Sequence, residues 1–249
     1  MKKQTLADKV YRLQLDFVRK INDTHIFVQQ ALPLLGYAKE NLEKPDNQED
    51  RRYYVPSTKK GKFANRTDEE LKSIYDRFIR RELYENLIVG AVSQFESFLF
   101  DVLRVIISTY PQKLTRNIQG VDTLKTIPIS ILLESENLDN ALSEVIERRL
   151  NDVSYAKPKD YLEYFGNITT VDTTDPAFMD YIEIKAARDL VIHNSGVIND
   201  VYLGKVGKKK RGELNQKIEI DSEYFNHCVA TMKRISGIIK RDTEKSFSK

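Results

Sequence analysis

The residues best equipped for chemistry lie together in Ala186-Ala187-Arg188-Asp189-Leu190-Val191-Ile192-His193-Asn194-Ser195-Gly196. A guanidinium, a carboxylate and an imidazole fall within two helical turns, with a glycine behind them. An imidazole titrates near neutral pH and can move a proton either way. A guanidinium can hold two oxygens of a phosphate at once. Together they suit metal-free cleavage of an RNA backbone, in which a ribose 2′-OH attacks the adjacent phosphodiester. His193 would be the general acid or base, and Arg188 would stabilise charge building on the phosphoryl oxygens. Asp189 would orient His193, and Asn194 could donate to a phosphate oxygen.

Helix geometry limits how these groups cooperate. Arg188 and His193 stand about 140° apart around an ideal axis and ~7.5 Å apart along it. One helix cannot easily aim both at one phosphate, whereas two copies of it could. Asp189 and His193, four apart, share a face. The apolar stripe expected to be buried is Met179, Ile182, Ala186 and Leu190. Taken on spacing alone, the histidine also fits a plain helix-end role, since the last turn favours a cation.

The elements that must position this stretch can be read on either side of it. Asp175-Pro176 is an N-cap with proline at the first helical position, opening a helix that should end at Gly196. Thr67-Asp68-Glu69-Glu70 is a capping box before a long helical pattern closed by Pro111. The second half of that pattern is apolar on most faces, as a central core helix would be. Glu96 breaks it. A carboxylate there needs a partner, because an unpaired buried charge costs several kcal/mol, and Arg188 is the natural candidate. Leu6 to about Leu35 forms an amphipathic pattern punctuated by Pro33 and Gly36, followed by a polar loop from Tyr37 to Asn65. Further helices are expected from Asn137 to about Val153, over Pro158–Gly166, and from Ser222, capped by Asp221, to about Arg241. Between the last two chemistry-bearing segments, Asp200–Val206 and Glu213–Ile220 have the composition of short strands, joined by a basic turn. The fold class is therefore all-α, with one small hairpin at about 200–220. The chain divides into 1–66, a helix and polar loop, and 67–249, a helical domain.

Arg188-Asp189-x-x-x-His193, with Asn194 behind it and Gly196 closing the helix, resembles the Arg-x(4–6)-His motif of HEPN domains. The Phe95-Glu96 pair on the long apolar helix and the Lys159-Asp160-Tyr161-Leu162-Glu163-Tyr164-Phe165-Gly166 segment extend the likeness over about residues 83–240. The resemblance implies a helical-bundle endoribonuclease that needs no metal and dimerises to form a composite site. It also implies a role in toxin–antitoxin or antiviral defence, with RNA as substrate and an antitoxin or defence-system protein as a further partner. HEPN bundles also serve as catalytically idle scaffolds that bind RNA or protein.

Composition is consistent with this and excludes other classes. The chain has 249 residues, a net charge of +3 and one cysteine, Cys228, so no internal disulfide forms. No secretory leader is visible, and no uncharged apolar run reaches the ~18 residues of a membrane span. A cytoplasmic location is the expectation. Lys205, Lys208, Lys209, Lys210 and Arg211 cluster without an intervening acid, a patch that could meet RNA phosphates. His25, His193 and His227 are scattered, and no Cys-x-x-Cys or His-Glu-x-x-His spacing occurs, so no metal site is expected. No glycine-rich phosphate loop offers a seat to ATP or NAD, and no cofactor is expected. His227-Cys228 is read as core filling by the thiol beside an exposed imidazole. Arg80-Arg81 and Arg148-Arg149 are read as solvated or ion-paired helix faces.

Overall fold

A computed structural model describes residues 4–42, 52–58, 61–119, 121 and 126–247. Parts of the expected 37–65 loop, at 43–51 and 59–60, lie outside them. The architecture is all-α with one small antiparallel hairpin. Helix α1 (Leu6–Asn41) precedes strands β1 (Arg52–Tyr54) and β2 (Phe63–Asn65). Helix α2 (Asp68–Arg77) then passes through a π turn, Phe78–Glu82, into α3 (Leu83–Thr109). Helices α4 (Ile129–Glu134), α5 (Leu138–Ser154), α6 (Pro158–Thr169), α7 (Pro176–Asn194), α8 (Asp200–Val206) and α9 (Ser222–Phe247) complete it.

Helix α3 is the axis of the bundle because it is apolar on several faces. Val92, Phe95, Leu99, Val102, Leu103 and Ile106 are all buried, against α1, α5, α6, α7 and α9. By length and composition alone, the Asp68–Thr109 helix could cross a membrane; here its apolar side chains fill the bundle centre. Phe95 stacks edge-on against Tyr181 of α7 at 4.8 Å and lies 5.3 Å from Phe17 of α1. Helix α1 thus forms a wall of the same core, through Leu6, Val10, Phe17, Ile21 and Val28.

The local signals read at the helix starts act as expected. Thr67 with Glu70 makes a reciprocal capping box, and so does Thr5 with Asp8, which sequence reasoning missed. Asp175 accepts from the Ala177 amide at 3.0 Å and Asp221 from the Tyr224 amide at 2.8 Å. Helix ends are less faithful to sequence. Pro33 lies inside α1, which continues to Asn41 and is fastened there by Lys39 to Asp76 of α2 at 2.8 Å. Gly166 lies inside α6, where a side chain would press on the Val171 carbonyl at 3.2 Å. Its role is close packing, and the helix stops at Thr170 in the left-handed conformation, φ 62°.

The hairpin expected at 200–220 is not there. Residues 200–206 form α8, capped by Asn199, whose side chain accepts from the Tyr202 amide at 2.9 Å, and ended by Gly207. Tyr202 and Val206, four apart, are both buried, so a helical period hid in a β-like composition. The 213–220 segment instead pairs with the residues directly after α7. Ile198 donates to the Gln216 carbonyl at 2.8 Å, Asn215 to Ile198 at 2.9 Å and Ile218 to Gly196 at 2.8 Å. The hairpin of this fold is the β1–β2 pair, with Tyr53 opposite Ala64. Arg149, expected on a solvated or ion-paired helix face, is fully buried and donates to the Arg116 carbonyl at 2.9 Å beneath the Tyr164 ring. Arg80 and Arg81 are ion-paired, to Asp76 and Glu85.

Glu183, which the sequence does not mark out, is buried at 5% exposure in the middle of α7. It accepts hydrogen bonds from the hydroxyls of Tyr202 (2.8 Å) and Tyr224 (2.7 Å), tying α8 and α9 to α7. Arg211 lies over the Tyr224 ring, 3.4 Å from its centre. Burial raises the Glu183 pKa above 4.5, more than the two phenol hydrogen bonds lower it. The folded state therefore holds this proton more tightly than the unfolded chain, and the stability it contributes is lost as pH rises from 4.5 through the raised value. Urea unfolding midpoints measured across that window should fall with pH in the native protein, and the slope should flatten in Glu183→Gln. An unchanged slope refutes the assignment. Tyr202→Phe should cost about 1.5–3 kcal/mol, as a hydrogen bond to a charged or shared proton does.

Candidate functional site

Five charged side chains form one continuous chain of ion pairs across α3, α7 and α8. Lys185 and Arg188, one turn apart on α7, both donate to Glu96 of α3, one to each carboxylate oxygen. The other side of the Arg188 guanidinium reaches Asp189 at 3.2 Å, and Asp189 meets Lys205 of α8, also at 3.2 Å. Glu96 thus has the arginine partner its apolar setting requires, plus Lys185, which sequence reasoning missed. Lys185 could have been found, because it stands three residues before Arg188 and shares its face. The side chains of Glu96 and Arg188 are 23% and 14% exposed, so water screens the pair only in part.

The packing explains why these groups meet. Phe95 directs α3 against Tyr181, placing its neighbour Glu96 at the α7 surface. The face that α7 buries is wide and includes Phe178, Tyr181, Ile182, Ile184, Ala186, Ala187 and Leu190. Met179, expected in that stripe, is 46% exposed. The wider buried face turns Arg188 toward α3. Its Nε is buried with no acceptor among the described residues.

His193 is elsewhere. It is exposed, and among the described residues no hydrogen bond or ion pair reaches it. The expected Asp189–His193 hydrogen bond does not form, because Arg188 and Lys205 hold the Asp189 carboxylate instead. Two cations attract a carboxylate more strongly than an imidazole does. Asn194 turns inward and donates to the Val197 carbonyl at 2.5 Å, closing the helix end rather than presenting its amide to a ligand. Ser195 and Gly196 are both left-handed, φ 52° and 76°, and the Gly196 amide bonds back to Leu190 at 2.9 Å. The stop expected at Gly196 therefore starts one residue earlier.

The basic cluster is largely neutralised. Lys205 pairs with Asp189, Lys209 with Asp180, and Lys210 with Glu213. Arg211 packs on Tyr224. Lys208 is exposed and, among the described residues, unpaired. The acids that quench this patch lie on α7 or beyond Gly212, outside the window in which the cluster was read. His25 bonds Asn226 at 2.8 Å, and Cys228 is buried while His227 is exposed, as expected. Burial raises the Cys228 thiol pKa far above its ordinary range, so it is no nucleophile.

What the arrangement can do follows from its open valences. Arg188 is held along two edges and its Nε–H has no acceptor among the described residues, while His193 stands a turn and a half later with neither ring nitrogen bonded among them. Breaking the Glu96 clamp should be costly, since it strands two cations. Glu96→Ala should lower stability by about 1–3 kcal/mol and Glu96→Gln by less, read from denaturant midpoints. Equal, negligible losses for both would show that the clamp does not hold the helices. In comparisons with known proteins, no family model, no curated protein and no solved structure matches this chain.

Proposed function

We propose that the protein is a metal-independent endoribonuclease of HEPN type, acting as a homodimer in a toxin or antiviral defence role. The observation that carries this reading is the contrast along one helix. Arg188 is fixed by two carboxylates, and five residues later His193 is solvent-facing and without a partner among the described residues. A histidine kept only for packing or capping would be expected to have a partner. With the two groups on different sides of α7, the scissile phosphate sits between two copies. Arg188 comes from one chain and His193 from the other. Arg188 stabilises the phosphoryl oxygens, and His193 takes the 2′-OH proton or protonates the leaving 5′ oxygen. The products are a 2′,3′-cyclic phosphate and a 5′-hydroxyl. Glu96 and Asp189 position the arginine. The substrate is single-stranded RNA, whose sugars and phosphates can be splayed.

A second reading, a catalytically idle scaffold that binds RNA or a protein, is favoured by one observation. The cations expected to meet RNA are mostly spent on the chain's own carboxylates.

Purified protein incubated with labelled RNA and EDTA separates the two. The ribonuclease cleaves to cyclic phosphate ends, and His193→Ala loses roughly 10²–10⁴ in rate while remaining folded. Mixing Arg188→Ala with His193→Ala chains rebuilds one complete Arg–His pair per mixed dimer and should recover cleavage that neither variant shows alone. Light scattering should report twice the chain mass. No EDTA-resistant cleavage, or His193→Ala as fast as the native protein, sinks the nuclease and leaves the scaffold.

A further inference from the structure

The β1–β2 hairpin is made of side chains that the bundle core does not use. Each residue of β1 is exposed, and in β2 only Ala64 is partly covered. Three rings nevertheless stand in solvent there, Tyr53, Tyr54 and Phe63, at 44%, 66% and 56% exposure. Scattered exposed apolar residues need no explanation, but a cluster of them marks an interaction surface. The register sets the arrangement. Tyr54 lies opposite Phe63 and shares its face, and the two rings meet edge-on, 6.0 Å between centres and 76° between planes. Such a contact occupies one ring face of the four and leaves the others open to a flat partner. Tyr53 points to the other face of the hairpin, opposite Ala64.

The charge around these rings has one sign. Residues 51–66 contain Arg51, Arg52, Lys59, Lys60, Lys62 and Arg66, with no aspartate or glutamate among them. Lys62 and Arg66 are exposed and, among the described residues, form no ion pair; Arg66 donates to the neighbouring Asn65 carbonyl at 2.7 Å. The 205–211 cluster is the reverse case, since carboxylates take up Lys205, Lys209 and Lys210. The acids next in sequence open α2, where Glu70 is occupied by the Thr67 cap. Open rings beside unpaired cations fit a polyanion that carries flat, uncovered groups. A single nucleic-acid strand is such a polymer: its bases stack on aromatic side chains and its phosphates take Lys and Arg. A duplex hides its base faces in its own stack, and an anionic lipid surface has charge but no flat groups.

We propose that the β1–β2 hairpin is a docking surface for single-stranded RNA, with Tyr54 and Phe63 stacking on bases and Lys62 and Arg66 holding phosphates. The choice of RNA over DNA rests on the ribonuclease reading, whereas the preference for a single strand comes from the hairpin itself. The hairpin supplies the unpaired cations that the 205–211 segment lacks. Sequence reasoning took this stretch as a polar loop because strands of three residues are too short to show a period. The signal it carries is compositional: tyrosines and a phenylalanine interleaved with lysine and arginine, and no acid.

Fluorescence anisotropy on the full chain with a labelled 2′-O-methyl-uridine 12-mer tests it. The probe lacks the attacking 2′-OH, so binding is read without cleavage and the two fail separately. The strand should bind with a Kd at or below roughly 10 μM at about 0.1 M salt, and its duplex with 2′-O-methyl-adenosine at least about tenfold more weakly. Tyr54→Ala and Phe63→Ala should each weaken binding about tenfold, while Tyr54→Phe, which keeps the ring, changes it less than about twofold. Lys62→Gln with Arg66→Gln should take about 1.4 off the slope of log Kd against log salt, ~0.7 for each phosphate released. Binding that passes these tests upholds the hairpin even where no EDTA-resistant cleavage is found, since an RNA-binding scaffold uses the same surface. Four results overturn it. The first is no saturation by roughly 100 μM, whether or not phosphatidylserine vesicles bind instead. The second is duplex binding as tight as the single strand. The third is affinity untouched by both ring deletions. The fourth is an oligothymidine DNA 12-mer binding at least about tenfold more tightly, which makes DNA the partner.

Discussion

A single carboxylate on an apolar helix sets the arrangement of this molecule. Glu96 emerges from the most hydrophobic element of the chain and is held by Lys185 and Arg188 of α7. An ion pair of this kind adds little net stability, since the cost of removing charges from water offsets most of the attraction. Its consequence is geometric. With two cations spaced by one turn on one carboxylate, α7 can take only one rotation against α3. The Phe95–Tyr181 contact beside it fixes the distance. Everything else that α7 presents follows from that rotation: the Arg188 guanidinium toward α3, His193 toward solvent, Glu183 toward α8 and α9.

Other contacts hold α7 along its length. In its middle Glu183 gathers two phenol hydroxyls from α8 and α9, and the extended residues after the helix pair with 215–218. The second device acts on the backbone just after His193, and among the described residues neither touches its ring. The helix end is therefore rigid while the imidazole stays free, a combination that suits a group meant to meet something outside its own chain. The neighbouring lysines have the opposite fate, since nearby carboxylates absorb their charge. In the proposed ribonuclease, RNA would be met there by a few directed donors more than by a broad positive field.

Much of the scaffold was legible because its signals are local. The capping box at Thr67, the Asp175-Pro176 start and the Asp221 cap each depend on residues within three or four positions. The Glu96–Arg188 link was legible for a different reason: a charge on an apolar helix demands a partner. The misreadings are mostly cases where a contact beyond the local window outweighed a local cue. Residues 200–206 carry strand-like side chains, yet Asn199 caps a helix that Tyr202 anchors to Glu183. Asp189 sits at hydrogen-bonding spacing from His193, yet two cations claim it. Gly166 looks like a stop and is a close-packing site.

The amino-acid order by itself determined the helical class, most helix starts, the central apolar axis and the grouping of Arg188, Asp189 and His193 on one helix. These follow from periodicity and from hydrogen bonds that close within a turn. Only the tertiary structure decided which side of α7 faces the core and which partner each charge takes. It also decided that the guanidinium is held while the imidazole is not. Those outcomes depend on side chains 16 to 92 positions apart competing for the same acceptors, and the winner is set by packing that no local pattern records.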